Sequence, residues 1–90
     1  MKEAAPKELL KFPTKLAIKA MGYNIYDFDA HVVQIVRQFV PDIPESDISS
    51  RESRQGKYLA VTVKVTVKTR EQADDIYRAL SSDERILMAI

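Results

Sequence analysis

The sequence predicts an α+β sandwich in which two helices cover one face of a four-stranded antiparallel sheet. Three observations predict this class. Residues 57–68 alternate apolar and polar side chains, as in a strand with one buried face. Residues 28–39 carry apolar side chains at helical spacing. Residues 69–72, Thr-Arg-Glu-Gln, have the form of a capping box that begins a second helix.

The first strand is predicted over residues 14–21. Its apolar positions are Leu16, Ile18 and Ala20, and its other face carries Lys15, Ala17 and Lys19. Alternation with a period of two is typical of a strand that buries one face and exposes the other. Gly22 is expected to end this strand.

The first helix follows after a short loop. The carboxylate of Asp27 or Asp29 is expected to cap it by accepting hydrogen bonds from the free N–H groups of its first turn. Its apolar stripe consists of Phe28, Val32, Ile35, Val36 and Phe39. Pro41 and Pro44 are expected to end the helix, because proline cannot extend it and biases the preceding residue toward extended backbone.

The second half of the chain contains two strands, a helix and a last strand. Residues 46–53 form a weak polar strand, and Gly56 supplies the flexible position of the following turn. The strand at 57–68 directs one row of apolar side chains to the core: Leu59, Val61, Val63, Val65 and Val67. The second helix is expected to bury Ala73, Ile76, Tyr77 and Leu80. Residues 85–90 form the last strand.

The element order is therefore β-α-β-β-α-β. Two right-handed βαβ crossovers place both helices on one face of the sheet, with the strand order 4-1-3-2. This is a ferredoxin-like two-layer sandwich, and the strands of Lys19 and Lys64 lie at its centre. We expect residues 1–13 to form an N-terminal lead-in segment and residues 14–90 to form a single domain.

The composition is that of an ordinary globular protein. Of the 90 residues, 46% are hydrophobic and 30% are charged, and no apolar run reaches the roughly 20 residues that span a bilayer. Residues 1–11 lack the apolar segment of a secretory signal. The sequence contains no cysteine, which excludes disulfides and thiolate chemistry. These features favour a cytoplasmic location.

The net charge of +1 hides an alternation of sign along the chain. The segments 1–22, 23–48, 49–70 and 71–90 carry net charges of +3, −4, +5 and −3. Because the basic segments contain the central strands and the acidic ones the helices, the uncovered face of the sheet is expected to be positive. It should present Lys15, Lys19, Arg51, Tyr58, Thr62, Lys64 and Thr66. The alternative is that these side chains are simply exposed to solvent and that the face binds no partner.

No constellation of side chains points to catalysis. His31 is the only histidine and is expected at the helix surface, and the neighbouring Asp74 and Asp75 diverge by about 100° on a helix. Acylphosphatase, which shares the fold, needs an arginine in the loop after the first strand, where residues 22–27 carry no cation. No phosphate-binding glycine motif or metal-ligand cluster occurs. We expect no enzymatic activity, no cofactor and no metal site.

RNA binding is an alternative that the topology raises, because RRM domains share it. These domains stack bases on aromatic side chains of the two central strands. Only Tyr58 is expected on the open face here, where the first strand presents Lys15, Ala17 and Lys19. The low net charge also argues against holding a polyanion by bulk charge alone. RNA binding through the basic face stays a second hypothesis.

The loop between the first strand and the first helix is a candidate ligand loop. ACT domains, which are ferredoxin-like, bind small effectors at subunit interfaces, often through this loop. Gly22 would allow a ligand to approach the backbone closely, and Asn24 offers both donor and acceptor groups. A plain strand-to-helix turn is the alternative. The sheet edges are available for pairing, so a homodimer is a further hypothesis.

Two short stretches are more distinctive than the general pattern. Residues 9–14 read Leu-Leu-Lys-Phe-Pro-Thr and are followed at 19–22 by Lys-Ala-Met-Gly, and residues 53–58 read Ser-Arg-Gln-Gly-Lys-Tyr. These stretches resemble the YbeD-like family of small bacterial proteins of unknown function, and the resemblance runs over residues 9–90. It implies a ferredoxin-like, ACT-like fold in a cytoplasmic bacterial protein and brings no activity or cofactor. The acidic segment 41–47 is longer than that of the family.

We therefore expect a non-catalytic regulatory or adaptor module that binds a protein partner or a small anionic ligand through its positive sheet face. The binding residues are expected to be Lys19, Arg54, Tyr58 and Lys64, with Gly22 and Asn24 contributing from the loop. Tyr58 is expected to lie near Lys19 on the neighbouring strand, with its phenol as a hydrogen-bonding group.

Overall fold

Residues 11–90, which the computed structural model describes, form an antiparallel sheet with two helices packed on one face. The strands are β1 (Thr14–Tyr23), β2 (Ile48–Glu52), β3 (Tyr58–Val67) and β4 (Met88–Ala89), in the order β2-β3-β1-β4. The helices are α1 (Phe28–Arg37) and α2 (Arg70–Ser81), and Glu45–Asp47 form a single 3-10 turn before β2. The predicted fold class and strand order are confirmed. Residues 1–10 of the predicted lead-in segment lie outside the described residues.

The inward face of β3 forms the centre of the hydrophobic core. All five of its alternate residues are buried, as the sequence alternation predicts. The other elements bury Ile18, Ala20, Phe28, Val32, Val33, Val36, Ala73, Ile76 and Leu80 against them. The buried face of α1 differs from the prediction, because Val33 is buried whereas Ile35 lies at the margin of the core. Phe39 also lies at that margin but follows the end of the helix at Arg37. Full burial of one such side chain contributes roughly 1.5–3 kcal/mol.

Gly22 lies within β1 rather than ending it, which corrects the predicted boundary of this strand. The ladder with β3 continues past Gly22 to Tyr23, which pairs with Tyr58. The ring of Phe28 and the backbone carbonyl of Arg85 fill the inward side of Gly22, and a Cβ atom there would lie 2.5 Å from that carbonyl oxygen. Glycine is therefore needed at this position for close packing and not for a turn.

The last strand is shorter than predicted. Only Met88–Ala89 are strand residues, and they pair with β1. Hydrogen bonding continues to Ile90, whose N–H and C=O both bond to Lys19, at 2.9 and 2.8 Å. The residues before β4 form a turn instead, in which the N–H of Ile86 donates to the C=O of Asp83 at 3.2 Å.

The predicted cap is absent at the start of α1 and present at the start of α2. Asp27 precedes α1 in a left-handed conformation and its carboxylate accepts no capping hydrogen bond, so the prediction that it caps the helix is wrong. Asp29, one residue inside the helix, accepts a hydrogen bond from the next backbone N–H at 2.8 Å. Thr69 caps α2 as predicted, because its Oγ1 accepts a hydrogen bond from the N–H of Gln72 at 3.1 Å. The side chain of Gln72 reaches the N–H of Lys68 rather than that of Thr69.

His31 joins α1 to the turn before β4 and is not simply a surface residue. Its Nε2 lies 2.8 Å from Oδ2 of Asp83, and both side chains are partly buried. The other carboxylate oxygen of Asp83 accepts a hydrogen bond from the N–H of Arg85 at 2.9 Å. Burial by itself would raise the pKa of Asp83. These two hydrogen bonds, together with the electrostatic attraction of His31 and Arg85, outweigh burial, and the pKa lies below its ordinary value of 3.8.

The lowered pKa of Asp83 predicts that acid removes part of the stability. A carboxyl group whose pKa is lower in the folded state stabilises the fold above its unfolded pKa, and this contribution disappears as the pH falls through the folded pKa. We expect Asp83→Asn to lower the free energy of unfolding by about 1–2 kcal/mol at neutral pH. Its effect should be smaller at an acidic pH below the folded pKa, because the wild-type carboxyl group is protonated there.

Urea denaturation at the two pH values measures this difference. Asp42→Asn, at an exposed position in the loop after α1, is the control and should have little effect at either pH. An effect of Asp83→Asn that is equal at both pH values would contradict the stabilising role of the ionised carboxylate.

Candidate functional site

The face of the sheet that the helices leave uncovered, the open face, is basic over half its length. The strand register places Lys15, Lys19 and Lys64 there, opposite Thr66, Thr62 and Ala17. Arg51 lies on the same face, opposite Ala60. All four cationic side chains are exposed, and no Asp or Glu occupies an open-face position in the four strands. We call these four residues, Lys15, Lys19, Arg51 and Lys64, the basic half.

A shallow groove of about 370 Å³ runs between two of these cations. Lys19 and Arg51 line it together with the hydroxyl-bearing residues Ser49, Ser50 and Thr62. Two positive charges beside hydroxyl groups can hold a carboxylate through charge-assisted hydrogen bonds. The groove is therefore the part of the basic half best suited to an anionic group.

The other end of the open face is apolar. Met21 lies between Ala60 and Met88 in the ladder, and Tyr23 lies opposite Tyr58. The two tyrosine rings are stacked, with their centroids 5.3 Å apart and their planes at 28°. Sequence analysis missed Tyr23 because it ended the first strand too early. Alternation continued by two more residues would have placed this ring on the open face.

Exposed apolar side chains continue from this end around the margin of the sheet. Within residues 11–90 the large hydrophobic side chains that are exposed are Tyr23, Ile25, Tyr26, Leu87, Met88 and Ile90. They come from the end of β1, the loop that follows it, and the β4 segment. Tyr23, Ile25 and Leu87 line one cavity of about 200 Å³. We call these six side chains, together with Met21 and Tyr58, the apolar end.

Arg85 holds the loop after β1 in an unusual conformation. Tyr26 and Asp27 have positive φ angles of 51° and 55°, a region that costs a residue with a side chain roughly 1–2 kcal/mol. Nη2 of Arg85 donates hydrogen bonds to the carbonyl oxygens of Ile25 and Tyr26 at 2.7 and 2.6 Å. The guanidinium also lies 5.8 Å from the centroid of the Phe28 ring. The loop thereby presents Tyr26 with 82% of its surface exposed.

Gly22 and Asn24, which the sequence suggested for a ligand loop, both have roles in the fold. Gly22 is buried in β1 under the Phe28 ring. The backbone N–H of Asn24 donates to the C=O of Lys57 at 2.9 Å, and its side-chain Nδ2 donates to the C=O of Gly56 at 3.2 Å. These bonds tie the loop after β1 to the turn between β2 and β3. Neither role requires a ligand.

The four binding residues suggested by the sequence do not meet at one point. Lys19 and Lys64 lie in the basic half, whereas Tyr58 begins β3 four residues from the row of Lys19, about 13 Å away. The expectation that Tyr58 lies near Lys19 is therefore wrong. Its ring lies instead 5.4 Å from Nζ of Lys57, and Arg54 is exposed in the adjoining turn.

The described part of the chain offers neither a metal site nor a membrane span. No three side chains of the types that bind metals lie close enough together there to hold an ion. No helix in residues 11–90 is both long enough and apolar enough to cross a bilayer. The side chains of the open face can make hydrogen bonds, contacts with charged groups and apolar contacts.

The chain is similar to bacterial proteins over nearly its whole length. Residues 7–90 match the model of a family described as a protein of unknown function (DUF493). A UPF0250 protein from Chromobacterium violaceum is 36% identical over 84 residues, which are 93% of this chain and 94% of the relative. A UPF0250 protein from Neisseria gonorrhoeae is 38% identical over 82 residues, 91% of this chain and 90% of the relative. The solution structure of protein HP0495 from H. pylori is similar in fold, with a TM-score of 0.72 over 99% of this chain and 98% of that chain, at 10% identity.

Proposed function

The chain belongs to the DUF493 family of proteins of unknown function, in agreement with its resemblance to YbeD-like proteins, and we propose that it is a non-catalytic regulatory or adaptor module of the cytoplasm. In this proposal it binds another protein through the open face of its sheet. The observation that carries the proposal is the division of that face into a basic half and an apolar end.

The apolar end supplies the contact area for a protein partner. Exposed hydrophobic side chains are usually scattered over a monomer, and a group of them in one place marks an interaction surface. Here all six large exposed ones of residues 11–90 belong to three neighbouring segments. Tyrosine and methionine, which contribute five of the eight side chains of the apolar end, are enriched in protein interfaces. Tyr26 is the most exposed of them and is held in place by Arg85.

The basic half determines the charge of the partner. Four exposed cations with no carboxylate among them attract an acidic surface and disfavour a basic one. The groove between Lys19 and Arg51 can hold one carboxylate of that partner. We therefore expect a partner that presents acidic residues beside an apolar patch, with the two separated by about 13 Å along the direction of β1.

Charge reversal in the basic half tests the proposal. A partner recovered with the immobilised protein is purified, and its affinity for each variant is measured by calorimetry. Lys19→Glu with Lys64→Glu should weaken binding roughly tenfold or more, because two attractive contacts become repulsive. Raising the salt concentration should weaken wild-type binding as well.

The matched control carries the same charge change on the helix layer. Arg70→Glu with Arg78→Glu alters two exposed residues of α2 whose ion pairs are on the surface and contribute little to stability. This control should bind the partner with nearly wild-type affinity. Equal affinities of the two double variants would show that the open face is not the binding surface.

RNA binding is a second candidate function, which the Tyr23–Tyr58 pair favours. These rings lie on the two central strands, the strands on which RRM domains stack bases. This hypothesis predicts that single-stranded RNA binds with an affinity that falls steeply with salt and is lost in Tyr58→Ala. Absence of binding to an RNA oligonucleotide at low salt would exclude it.

A further inference from the structure

The outer edge of β4 is the least protected part of the sheet. Residues 87–90 read Leu-Met-Ala-Ile and carry no charged or polar side chain, whereas the opposite edge strand, β2, carries Arg51 and Glu52. Edge strands of soluble proteins usually carry charges or prolines, which prevent pairing with another chain. No strand of residues 11–90 pairs with the outer side of β4. Apart from the shortness of β4, this edge therefore lacks the usual protection.

The backbone groups of Ala89 point outward from this edge. The N–H and C=O of Ile90 both bond to Lys19 of β1. Successive residues of a strand direct these groups to opposite sides, so the N–H and C=O of Ala89 face away from the sheet. Met88 and Ile90 flank Ala89 on the open face, with 51% and 61% of their surfaces exposed. A strand that pairs with this edge could therefore bond to the N–H and C=O of Ala89 and pack against the side chains of Met88 and Ile90.

We propose that a second copy of this chain pairs with this edge, β4 against β4, antiparallel about a twofold axis. In the register that places Ala89 opposite Ala89 of the partner subunit, the two residues exchange both of their backbone hydrogen bonds. Met88 then lies opposite Ile90 of the partner subunit, and the symmetry repeats this apolar contact. The pairing joins two four-stranded sheets into one of eight strands with both open faces on the same side.

The composition of the edge favours a second copy over a different protein. The side chains of this edge carry no charge by which it could select another protein, and they bring no like-charged side chains together when the edge pairs with itself. The twofold register satisfies the outward groups of both chains and leaves the basic half uncovered. Because the contact is only a few residues long and buries little area, the dimer should dissociate on dilution.

Two measurements test this pairing. Sedimentation of the wild-type protein should give a mass that rises from 10.3 kDa toward twice that value with concentration. Ala89→Pro removes the outward N–H without removing a bond to β1, and its mass should stay at 10.3 kDa at every concentration. Circular dichroism establishes that the variant is folded.

A disulfide cross-link tests the proposed register of the β4–β4 pair. This test does not depend on whether the Ala89→Pro variant folds. The chain has no cysteine, and two residues that form a hydrogen-bonded antiparallel pair have Cα atoms about 5.5 Å apart, within the range of a disulfide. Oxidised Ala89→Cys should therefore form a covalent dimer, and Ser50→Cys on the β2 edge should not. A wild-type protein that stays monomeric at its highest soluble concentration, or equal cross-linking of the two cysteine variants, would overturn the proposal.

Discussion

A Gly22→Ala substitution is expected to lower the free energy of unfolding by about 3 kcal/mol. The added methyl group would meet the Phe28 ring on one side and the backbone carbonyl of Arg85 on the other. A flexible side chain could move away, but the carbonyl belongs to the turn that holds the loop after β1. The Phe28 ring is itself almost completely buried, so it can move only by displacing the side chains packed around it. Relief of the clash therefore requires displacement of α1 or of that turn.

Chemical denaturation of the two proteins measures this loss. Ala17→Val, which enlarges a side chain on the exposed face of the same strand, is the matched control and should change the stability by no more than about 0.5 kcal/mol. A Gly22→Ala variant of native stability would contradict the packing role of this residue. It would return Gly22 to the ligand-loop hypothesis that the sequence suggested.

Removal of the Arg85 side chain should lower the free energy of unfolding by about 2 kcal/mol. Arg85→Ala deletes two short hydrogen bonds to the carbonyl oxygens of Ile25 and Tyr26 and the contact with the Phe28 ring. The left-handed residues of the loop then lose the bonds that hold them. Hydrogen exchange should accelerate at the N–H of His31, which donates to the C=O of Asp27 at the start of α1.

Tyr26→Gly, added to Arg85→Ala, tests whether the lost stability comes from the conformation of the loop after β1. Glycine adopts the left-handed conformation without steric cost, so Tyr26→Gly in the Arg85→Ala protein should restore about 1 kcal/mol. Arg78→Ala, which removes an exposed arginine of α2, is the control and should have little effect. Absence of any rescue by Tyr26→Gly, together with unchanged hydrogen exchange, would show that Arg85 does not maintain this loop.

The parts of the fold that the sequence predicts well are those with local patterns. The alternation from Leu59 to Val67 places five side chains in the core because each residue of a strand must face one side or the other. Thr69 caps α2 because its hydroxyl and the N–H it binds are three residues apart. Strand order follows from the handedness of the crossovers and needs no knowledge of individual contacts.

The features that sequence reasoning missed depend on contacts between distant segments. Gly22 reads as the end of a strand because the Phe28 ring and the Arg85 carbonyl that require a glycine there are known only from the structure. Once the strand is taken to end at Gly22, Tyr23 is assigned to a loop and the tyrosine pair of the open face is lost. Nothing in the sequence around Arg85 indicates that its side chain bonds to the backbone of a residue sixty positions earlier.

The candidate site follows the same division. The positive charge of the open face is predictable, because alternation alone assigns Lys15, Lys19 and Lys64 to it. The apolar end is not predictable, because it combines the extension of β1, a loop in a left-handed conformation and the short β4 segment. The distance between Lys19 and Tyr58 depends on the register, which the sequence does not specify.

The central position of β1 has a consequence for synthesis of the chain. β1 is the first strand of residues 11–90 to leave the ribosome, and both of its neighbours in the sheet are made later. Ala20 can pair with Ala89 only after almost all of residues 11–90 have been made. Both edges of the nascent strand are therefore unpaired while most of the chain is being made. Lys15 and Lys19, spaced along one face of this strand, repel the same strand of another nascent copy and so oppose aggregation before folding.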